Sequence, residues 1–178
     1  MCKLPFIFIA QNTIGDGSCF LHAVLMAFNK TYINSNNSER RKIVRKLRGA
    51  ISDYIEESEI YSELARGELE EISKFVPMMT KKNMRNYINS NKWISQHFVE
   101  LISKVLDLNI FIISNGTNTL YNLGDDEIYY KKNRNSVFIN YINEAHFETL
   151  GVKTSQGVKT FFSPDSGIMK TTYKCLDI

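Results

Sequence analysis

The apolar residues of this chain change their spacing along its length, and this change constrains the fold more than any other feature. Three early stretches carry apolar side chains at helical spacing, namely residues 17–29, 39–57 and 93–108. Three short runs rich in β-branched and aromatic residues follow, namely NIFIIS, NSVFINYI and HFETL. Helices that precede strands in this way predict an α+β fold, with a small central sheet packed between helices.

The remaining segments add detail to this prediction. In the helix predicted at 39–57, one apolar stripe is formed by Ile43, Leu47, Ile51 and Tyr54 or Ile55. We expect the basic residues of that helix to occupy its opposite, solvated face. The opening apolar run predicts a buried strand, and residues 59–91 predict shorter helical pieces. LYNL, after residue 119, is also strand-like, and the segment 160–178 contains two strand-like stretches around a Ser-Pro-Asp-Ser-Gly turn.

Composition limits the classes of protein that remain. A chain of 178 residues that is 43% hydrophobic can fill one core, so we expect a single domain over residues 1–178. The net charge of +3 comes from 22 basic and 19 acidic residues, which predicts no nucleic-acid partner. No apolar stretch is long enough to span a bilayer, so we expect a soluble protein without a membrane partner.

The cysteines indicate the chemical setting. There are three, at positions 2, 19 and 175, and they form no CxxC pair. An odd number at this spacing predicts neither a disulfide framework nor a zinc site, and it indicates a reducing, cytoplasmic environment. Cys2 and Cys175 are interpreted as small buried hydrophobic residues.

Cys19 has different surroundings, because it lies between the glycine-containing turn IGDG and the first predicted helix. A thiol at a helix N-terminus beside an imidazolium has a lowered pKa, so it becomes an effective nucleophile. The backbone N–H groups of Gly17, Ser18 and Cys19 would then point towards a developing oxyanion. Taken by itself, Cys19 is also compatible with an ordinary buried cysteine in an apolar helix.

Three histidines are candidates for the base. His22 lies on the same predicted helix as Cys19 and is interpreted as a packing residue, and His97 lies inside the helix predicted at 93–108. His146 begins a strand, and Glu148 shares its strand face because side chains alternate along a strand. Such a carboxylate can orient the imidazole. No metal site is predicted, because zinc ligands cluster in the sequence and these residues do not.

Four blocks of the sequence together resemble a known family. They are DGSCFLHA (16–23), WISQHFVEL (93–101), NIFII (109–113) and VFINYINEAHFETL (137–150). In order and spacing they resemble the ovarian tumour (OTU) family of cysteine deubiquitinases over residues 14–150, which leaves 151–178 as a C-terminal extension that we expect to add to the sheet. The departures are Ile94, where the family often has glycine, and His22, where arginine or tyrosine is common.

The resemblance implies a papain-like OTU fold and a role for each motif residue. Cys19 matches the family's nucleophile and His146 its general base. Glu148 stands where the family usually has Asp or Asn, and Asp16 matches the acidic residue that opens the cysteine motif. We expect Glu148 to orient His146, and Asp16 to shape the turn and the oxyanion hole, capping Ser18 or Cys19.

The implied activity is hydrolysis of the isopeptide bond after the C-terminal Gly-Gly of ubiquitin, through an acyl-enzyme on Cys19. It needs no cofactor and no metal, and its partner is ubiquitin or polyubiquitin. We expect a monomer in the cytoplasm, or in a host cytosol if the chain is a viral or intracellular bacterial effector. Two alternatives stay open, namely a protease for another ubiquitin-like modifier and a catalytically silent ubiquitin-binding module. The near-neutral charge balance argues against a nucleic-acid-binding protein.

Overall fold

The computed structural model describes residues 2–59, 61–62, 80–94, 98–114, 117–120 and 130–177. The elements run in the order β1 (Phe8–Gln11), α1 (Cys19–Phe28), α2 (Lys30–Ile33), α3 (Asn37–Glu57), α4 (Lys81–Asn89), α5 (Val99–Leu106), β2 (Leu108–Ser114), β3 (Asn135–Ile142), β4 (His146–Thr154), β5 (Gly157–Lys159) and α6 (Gly167–Leu176). None of the helices in the described residues is long and apolar enough to cross a lipid bilayer.

The strands form one mixed sheet in the order β1-β4-β3-β2, and β5 also pairs with β4. The β2–β3 pair is parallel and the other pairs are antiparallel. Between β3 and β4, Asn143 and Glu144 both have positive φ, at 50° and 55°. Two such residues in succession are typical of a tight hairpin turn. The turn pairs Ile142 with His146, so His146 is the first residue of β4.

Helix α1 packs against this sheet and lies in the centre of the core. Its first seven residues, from Cys19 to Leu25, are all buried. The Phe20 ring meets the Phe147 ring edge-on at 5.0 Å, and the Thr149 hydroxyl donates to the Ala23 carbonyl at 2.6 Å. The predicted α+β class is confirmed, with Cys19 at the N-terminus of a core helix.

The face that α3 buries differs from the predicted one. Its buried residues are Val44, Arg48, Ile51, Ser52 and Ile55, whereas the predicted stripe residues Ile43 and Leu47 are half-buried. The expectation that the basic residues fill the solvated face is therefore wrong for Arg48. The helix begins at Asn37 because Asn36 and Glu39 form a reciprocal capping box.

Two other predicted elements differ from the sequence analysis, one in its length and the other in its burial. Helix α5 begins at Val99, and Trp93 precedes it outside any helix. His97 lies outside the described residues. The N-terminal strand is not buried: β1 lies at the sheet edge, and the side chains of Ile7 and Ile9 are 66% and 38% exposed. An edge strand covered on one face explains this exposure.

The termini contain the largest correction to the sequence analysis. Cys2 and Cys175 form a disulfide, although no disulfide was expected from an odd number of cysteines. The second predicted strand after the Ser-Pro-Asp-Ser-Gly turn is the helix α6, which Ser166 caps by accepting from the Met169 N–H. The first stretch makes a single antiparallel bridge, between Phe162 and Ser136. Most of LYNL and of residues 59–79 lie outside the described residues.

Candidate active site

The Cys19 thiol lies at the bottom of the site, at the start of α1, and the residue is 1% exposed. Burial raises the pKa of this thiol. Hydrogen bonds from the Trp93 side chain and from the backbone of Phe147 and Phe20 favour the thiolate and lower the pKa, but by less. The pKa of Cys19 is therefore raised and not lowered as expected, because desolvation outweighs the hydrogen bonds that favour the thiolate.

His146 lies beside the loop that leads to Cys19. A Cβ atom placed on Gly15 would lie 3.8 Å from Cε1 of the half-buried His146 ring. Two contacts of the next residue, Phe147, hold the strand and the loop together. Its carbonyl accepts from the Thr13 hydroxyl at 2.5 Å, and its backbone hydrogen-bonds the Cys19 sulfur. The loop that leads to Cys19 thus lies against the start of β4, which carries His146.

Glu148 lies on the same face of β4 as His146 and opposite Asn140 of β3. Its side chain is half-buried. Among the residues that the structure describes, it makes no hydrogen bond to His146. Its role as the orienting acid stays a prediction.

Asp16 uses its carboxylate on the cysteine loop itself. One oxygen accepts from the Ser18 N–H at 2.8 Å, and the other lies 3.2 Å from Nε2 of His22 and 3.6 Å from Nε of Arg41. These partners lie in the motif and on α3, and none of them is His146. Asp16 is placed to shape the turn before Cys19.

His22 is a buried partner of Asp16. Burial lowers the pKa of His22, so its ring is neutral near pH 7. Burial also raises the pKa of Tyr32 to about 12, which keeps its hydroxyl protonated. Nε2 therefore donates to Asp16, and Nδ1, at 2.6 Å from the Tyr32 hydroxyl, accepts from it. Both ring nitrogens of His22 are thus hydrogen-bonded, one to Tyr32 and the other to Asp16.

The three predicted oxyanion donors differ in their availability. The Ser18 N–H donates to the Asp16 carboxylate, and the Cys19 N–H donates to the Asp16 carbonyl at 3.0 Å. The Gly17 N–H donates to no acceptor among the described residues. Gly17 is required for a second reason, since a Cβ atom there would lie 2.4 Å from the carbonyl oxygen of Asn91.

Sequence reasoning missed two residues that contact this loop. Trp93 was assigned to a helix, but it lies in the segment before α5, where its side chain lowers the pKa of the Cys19 thiol. Arg48 was assigned to a solvated face, but it is buried and donates to Gly17 and Ser18. A signal for Arg48 was present, because it lies four residues after Val44 and three before Ile51, on the stripe that α3 buries.

The described residues offer no metal centre: they contain no group of three or more His, Cys, Asp or Glu side chains that could hold an ion. A thiol and an imidazole can carry out nucleophilic attack with the imidazole as base once the two groups meet.

Comparisons with known proteins agree with this geometry. A family model described as OTU-like cysteine protease matches residues 14–147. The fold is similar to that of an OTU domain solved in complex with ubiquitin, with a TM-score of 0.62 and 15% identity over 98% of this chain and 87% of that chain.

Two viral OTU domain proteases are also similar in structure. The protease of Dera Ghazi Khan virus gives a TM-score of 0.54 at 16% identity and covers 83% of this chain and 82% of its own. That of Taggert virus gives 0.54 at 16% identity and covers 86% of this chain and 85% of its own. No curated protein sequence matches the chain at a significant level.

Proposed function

Because the chain belongs to the OTU-like cysteine protease family, we propose that it is a deubiquitinating enzyme that hydrolyses the isopeptide bond after the C-terminal Gly-Gly of ubiquitin. The observation that supports this proposal is that the loop before Cys19, at the start of α1, lies against His146 at the start of β4. A thiol and an imidazole on adjoining elements are the two groups that acyl transfer requires.

In the proposed reaction, His146 takes the proton of the Cys19 thiol as the sulfur attacks the carbonyl carbon of the terminal glycine. The tetrahedral intermediate collapses to a thioester, and the lysine amine leaves with the proton that His146 returns. Water, deprotonated by His146, then hydrolyses the thioester and releases ubiquitin. Glu148 would orient the imidazole through both steps.

The open N–H of Gly17 is the first donor that the oxyanion would meet. The N–H groups of Ser18 and Cys19 would contribute only after leaving Asp16, to which both donate in this structure. We therefore assign Asp16 the part of holding the loop, and Gly17 the larger part in the oxyanion hole.

Two observations favour a second candidate, a ubiquitin-binding module without activity. Burial raises the pKa of the Cys19 thiol, and among the described residues no hydrogen bond joins its sulfur to His146. A protein with these features binds its partner but does not cleave it unless substrate binding brings the imidazole to the sulfur.

The two candidates are separated by a ubiquitin that carries a thiol-reactive group at its C-terminus. We expect a covalent adduct on Cys19, located by mass spectrometry, and its loss in Cys19→Ala and His146→Ala. Cys19→Ala should also abolish cleavage of a ubiquitin–fluorophore conjugate while binding to ubiquitin persists. Binding without any adduct would indicate the silent module, and faster labelling by a probe built on another ubiquitin-like protein would identify a different modifier.

We also propose that the protein acts as a monomer in the cytosol, which in the case of a viral or bacterial effector is the host cytosol. Size-exclusion chromatography with light scattering tests the monomer. The Cys2–Cys175 disulfide argues against a cytosolic location, because disulfides rarely persist in the cytosol. The ratio of oxidised to reduced protein after rapid alkylation of cells tests the location.

A further inference from the structure

Arg48 of α3 is 2% exposed, and all five of its N–H groups donate hydrogen bonds. Two of these bonds reach the cysteine loop: Nη2 donates to the Gly17 carbonyl at 3.0 Å and Nε to the Ser18 hydroxyl at 2.9 Å. The other three reach backbone carbonyls at the end of α4 and in the segment between α4 and α5, those of Ile88 at 2.9 Å, Ser90 at 2.7 Å and Lys92 at 2.7 Å.

The acceptors of Arg48 are four carbonyls and one hydroxyl, and none is a carboxylate. Burial of a guanidinium is costly unless its donors are all satisfied, and burial lowers the pKa of Arg48. A lysine has three donors on one nitrogen and cannot reach five acceptors that lie around a planar fork. The site is therefore built for an arginine.

On the loop side, Arg48 controls the orientation of one peptide group. The Gly17 carbonyl accepts from Arg48 and also from the Ile94 N–H at 3.0 Å. Because the peptide is planar and trans, fixing this carbonyl also fixes the Ser18 N–H, which points the opposite way and donates to Asp16. The Gly17 carbonyl is thereby held on the side of Arg48 and Ile94, opposite to the Ser18 N–H, which is one of the predicted oxyanion donors.

On the other side, Arg48 holds the segment that carries Trp93. Its bonds to Ser90 and Lys92 press this segment against the loop, where the Asn91 carbonyl lies against Gly17. The Trp93 ring that follows lies 6.3 Å from the Phe147 ring, which packs at 5.0 Å against Phe20, the neighbour of Cys19, and the Trp93 side chain lowers the pKa of the Cys19 thiol. The Arg48 side chain thus joins the loop before Cys19 to the segment that carries Trp93.

We propose that Arg48 is a positioning residue for acyl transfer, which sets the Gly17–Ser18 peptide and the Trp93 segment around the Cys19 thiol. This proposal rests on the proposed function, since acyl transfer is the reaction for which the peptide would be set. Arg48 touches no reacting atom and acts only through its contacts with the loop and the segment.

The test compares Arg48→Lys with a matched control, Arg85→Lys. Arg85 of α4 also joins its helix to α3, through Ser52 at 3.2 Å and Glu56 at 2.9 Å, but it does not touch the cysteine loop. For Arg48→Lys we expect kcat on a ubiquitin–fluorophore substrate to fall about tenfold or more. Loss of one oxyanion donor costs about 100- to 1000-fold, and Arg48 acts on such donors only through the loop. KM should stay near the wild-type value, and Arg85→Lys should keep the wild-type kcat.

Three results would overturn the proposal: a wild-type kcat in Arg48→Lys, a loss of kcat that follows the folded fraction measured by circular dichroism, and an equal loss in Arg85→Lys. If Arg48→Lys does not fold, Ser18→Ala replaces it, because it removes one loop contact of Arg48 and leaves the other four. A fall in its kcat at constant KM supports the proposal, and an unchanged kcat contradicts it.

Failure of the proposed function is recognised separately, because the wild-type protein would then cleave no ubiquitin substrate. In that event the pH dependence of Cys19 alkylation by iodoacetamide decides the matter, since this reaction needs no ubiquitin. An upward shift of the apparent Cys19 pKa in Arg48→Lys and not in Arg85→Lys supports positioning of Trp93 by Arg48. An unshifted pKa overturns it.

Discussion

Cys19 experiences two opposing influences on its acidity. Its place at the start of α1 and the hydrogen bonds to its sulfur favour the thiolate, while burial favours the thiol. Burial is the larger influence, so the pKa is raised. At the scale of single residues, the Cys19 thiol is therefore protonated near neutral pH. The base His146 must take this proton during the reaction.

This conflict predicts the pH dependence of alkylation in the absence of ubiquitin. We expect an apparent Cys19 pKa above the ordinary value of 9.0, measured from the rate of reaction with iodoacetamide. Trp93→Phe should raise it further, because the hydrogen bond that favours the thiolate is lost. Cys19→Ala corrects for background labelling. An apparent pKa below that of free cysteine would contradict the dominance of burial.

The two acidic residues of the site are expected to differ in what they support. Glu148→Gln should lower kcat substantially with little change in melting temperature, because the imidazole loses its predicted orienting carboxylate. Asp16→Asn should lower both kcat and the melting temperature, with a loss of about 1 kcal/mol in the free energy of unfolding. The physical reason is that an amide nitrogen would face the Nε2–H of His22, or else an amide nitrogen would face the Ser18 N–H.

Both variants are compared in the same ubiquitin–fluorophore and melting assays. Full activity in Glu148→Gln, together with a folded but inactive Asp16→Asn, would exchange the two roles.

At the scale of elements, the site depends on how closely the cysteine loop approaches the segment before α5. Gly17 allows this approach because it has no Cβ atom to meet Asn91. The Ile94 N–H then bonds the Gly17 carbonyl, and Arg48 closes the contact from α3. The cysteine loop, the segment before α5 and the helix α3 are distant in sequence. They are thus joined at the turn that precedes α1.

Two glycine substitutions separate this contact from general effects of glycine removal. Gly17→Ala should destabilise the protein and reduce turnover, since its Cβ would lie 2.4 Å from the Asn91 oxygen and force the segments apart. Gly49→Ala should instead stabilise by about 0.5–1 kcal/mol, because alanine suits a helix interior and nothing lies within 4 Å of its Cβ. Chemical denaturation measures both. A stable, fully active Gly17→Ala would refute the contact.

At the scale of the whole molecule, the disulfide joins the two ends of the described chain. Cys2 precedes β1, and Cys175 lies near the end of α6, so the bond links residues 173 apart in sequence. Helix α6 also packs through Tyr173, whose hydroxyl accepts from Asn109 of β2 at 2.9 Å. The C-terminal segment is thus attached both to the sheet and to the N-terminus.

Reduction of the disulfide should therefore lower stability but not turnover. Removal of a native disulfide from a small domain typically costs about 2–5 kcal/mol. We expect the double variant Cys2→Ser/Cys175→Ser to melt at a lower temperature and to show no further change with reductant, while its kcat stays at the wild-type value. The wild type should unfold in one transition if residues 1–178 form a single domain. Separate transitions, or equal melting temperatures, would contradict these expectations.

Local patterns in the sequence determined the α+β class and the core position of α1. Both are encoded within a few residues, by the periodicity around Cys19 and the β-branched runs of β2, β3 and β4. Cys19 and His146 were identified by the order of four motif blocks. The acidic partner of His146 could not be decided in this way, because it depends on side-chain positions.

Only the tertiary structure decided the surroundings of these residues. Arg48 is charged, and its burial depends on acceptors 30 to 44 residues away in sequence. Trp93 lies before α5 and not in a helix as predicted, and its side chain lowers the pKa of Cys19. Cys2 forms a disulfide with Cys175, which is 173 residues away in sequence. Periodicity reports on neighbours along one element, whereas these contacts join elements. Their energy comes from burial and hydrogen bonds that exist only after the chain has folded.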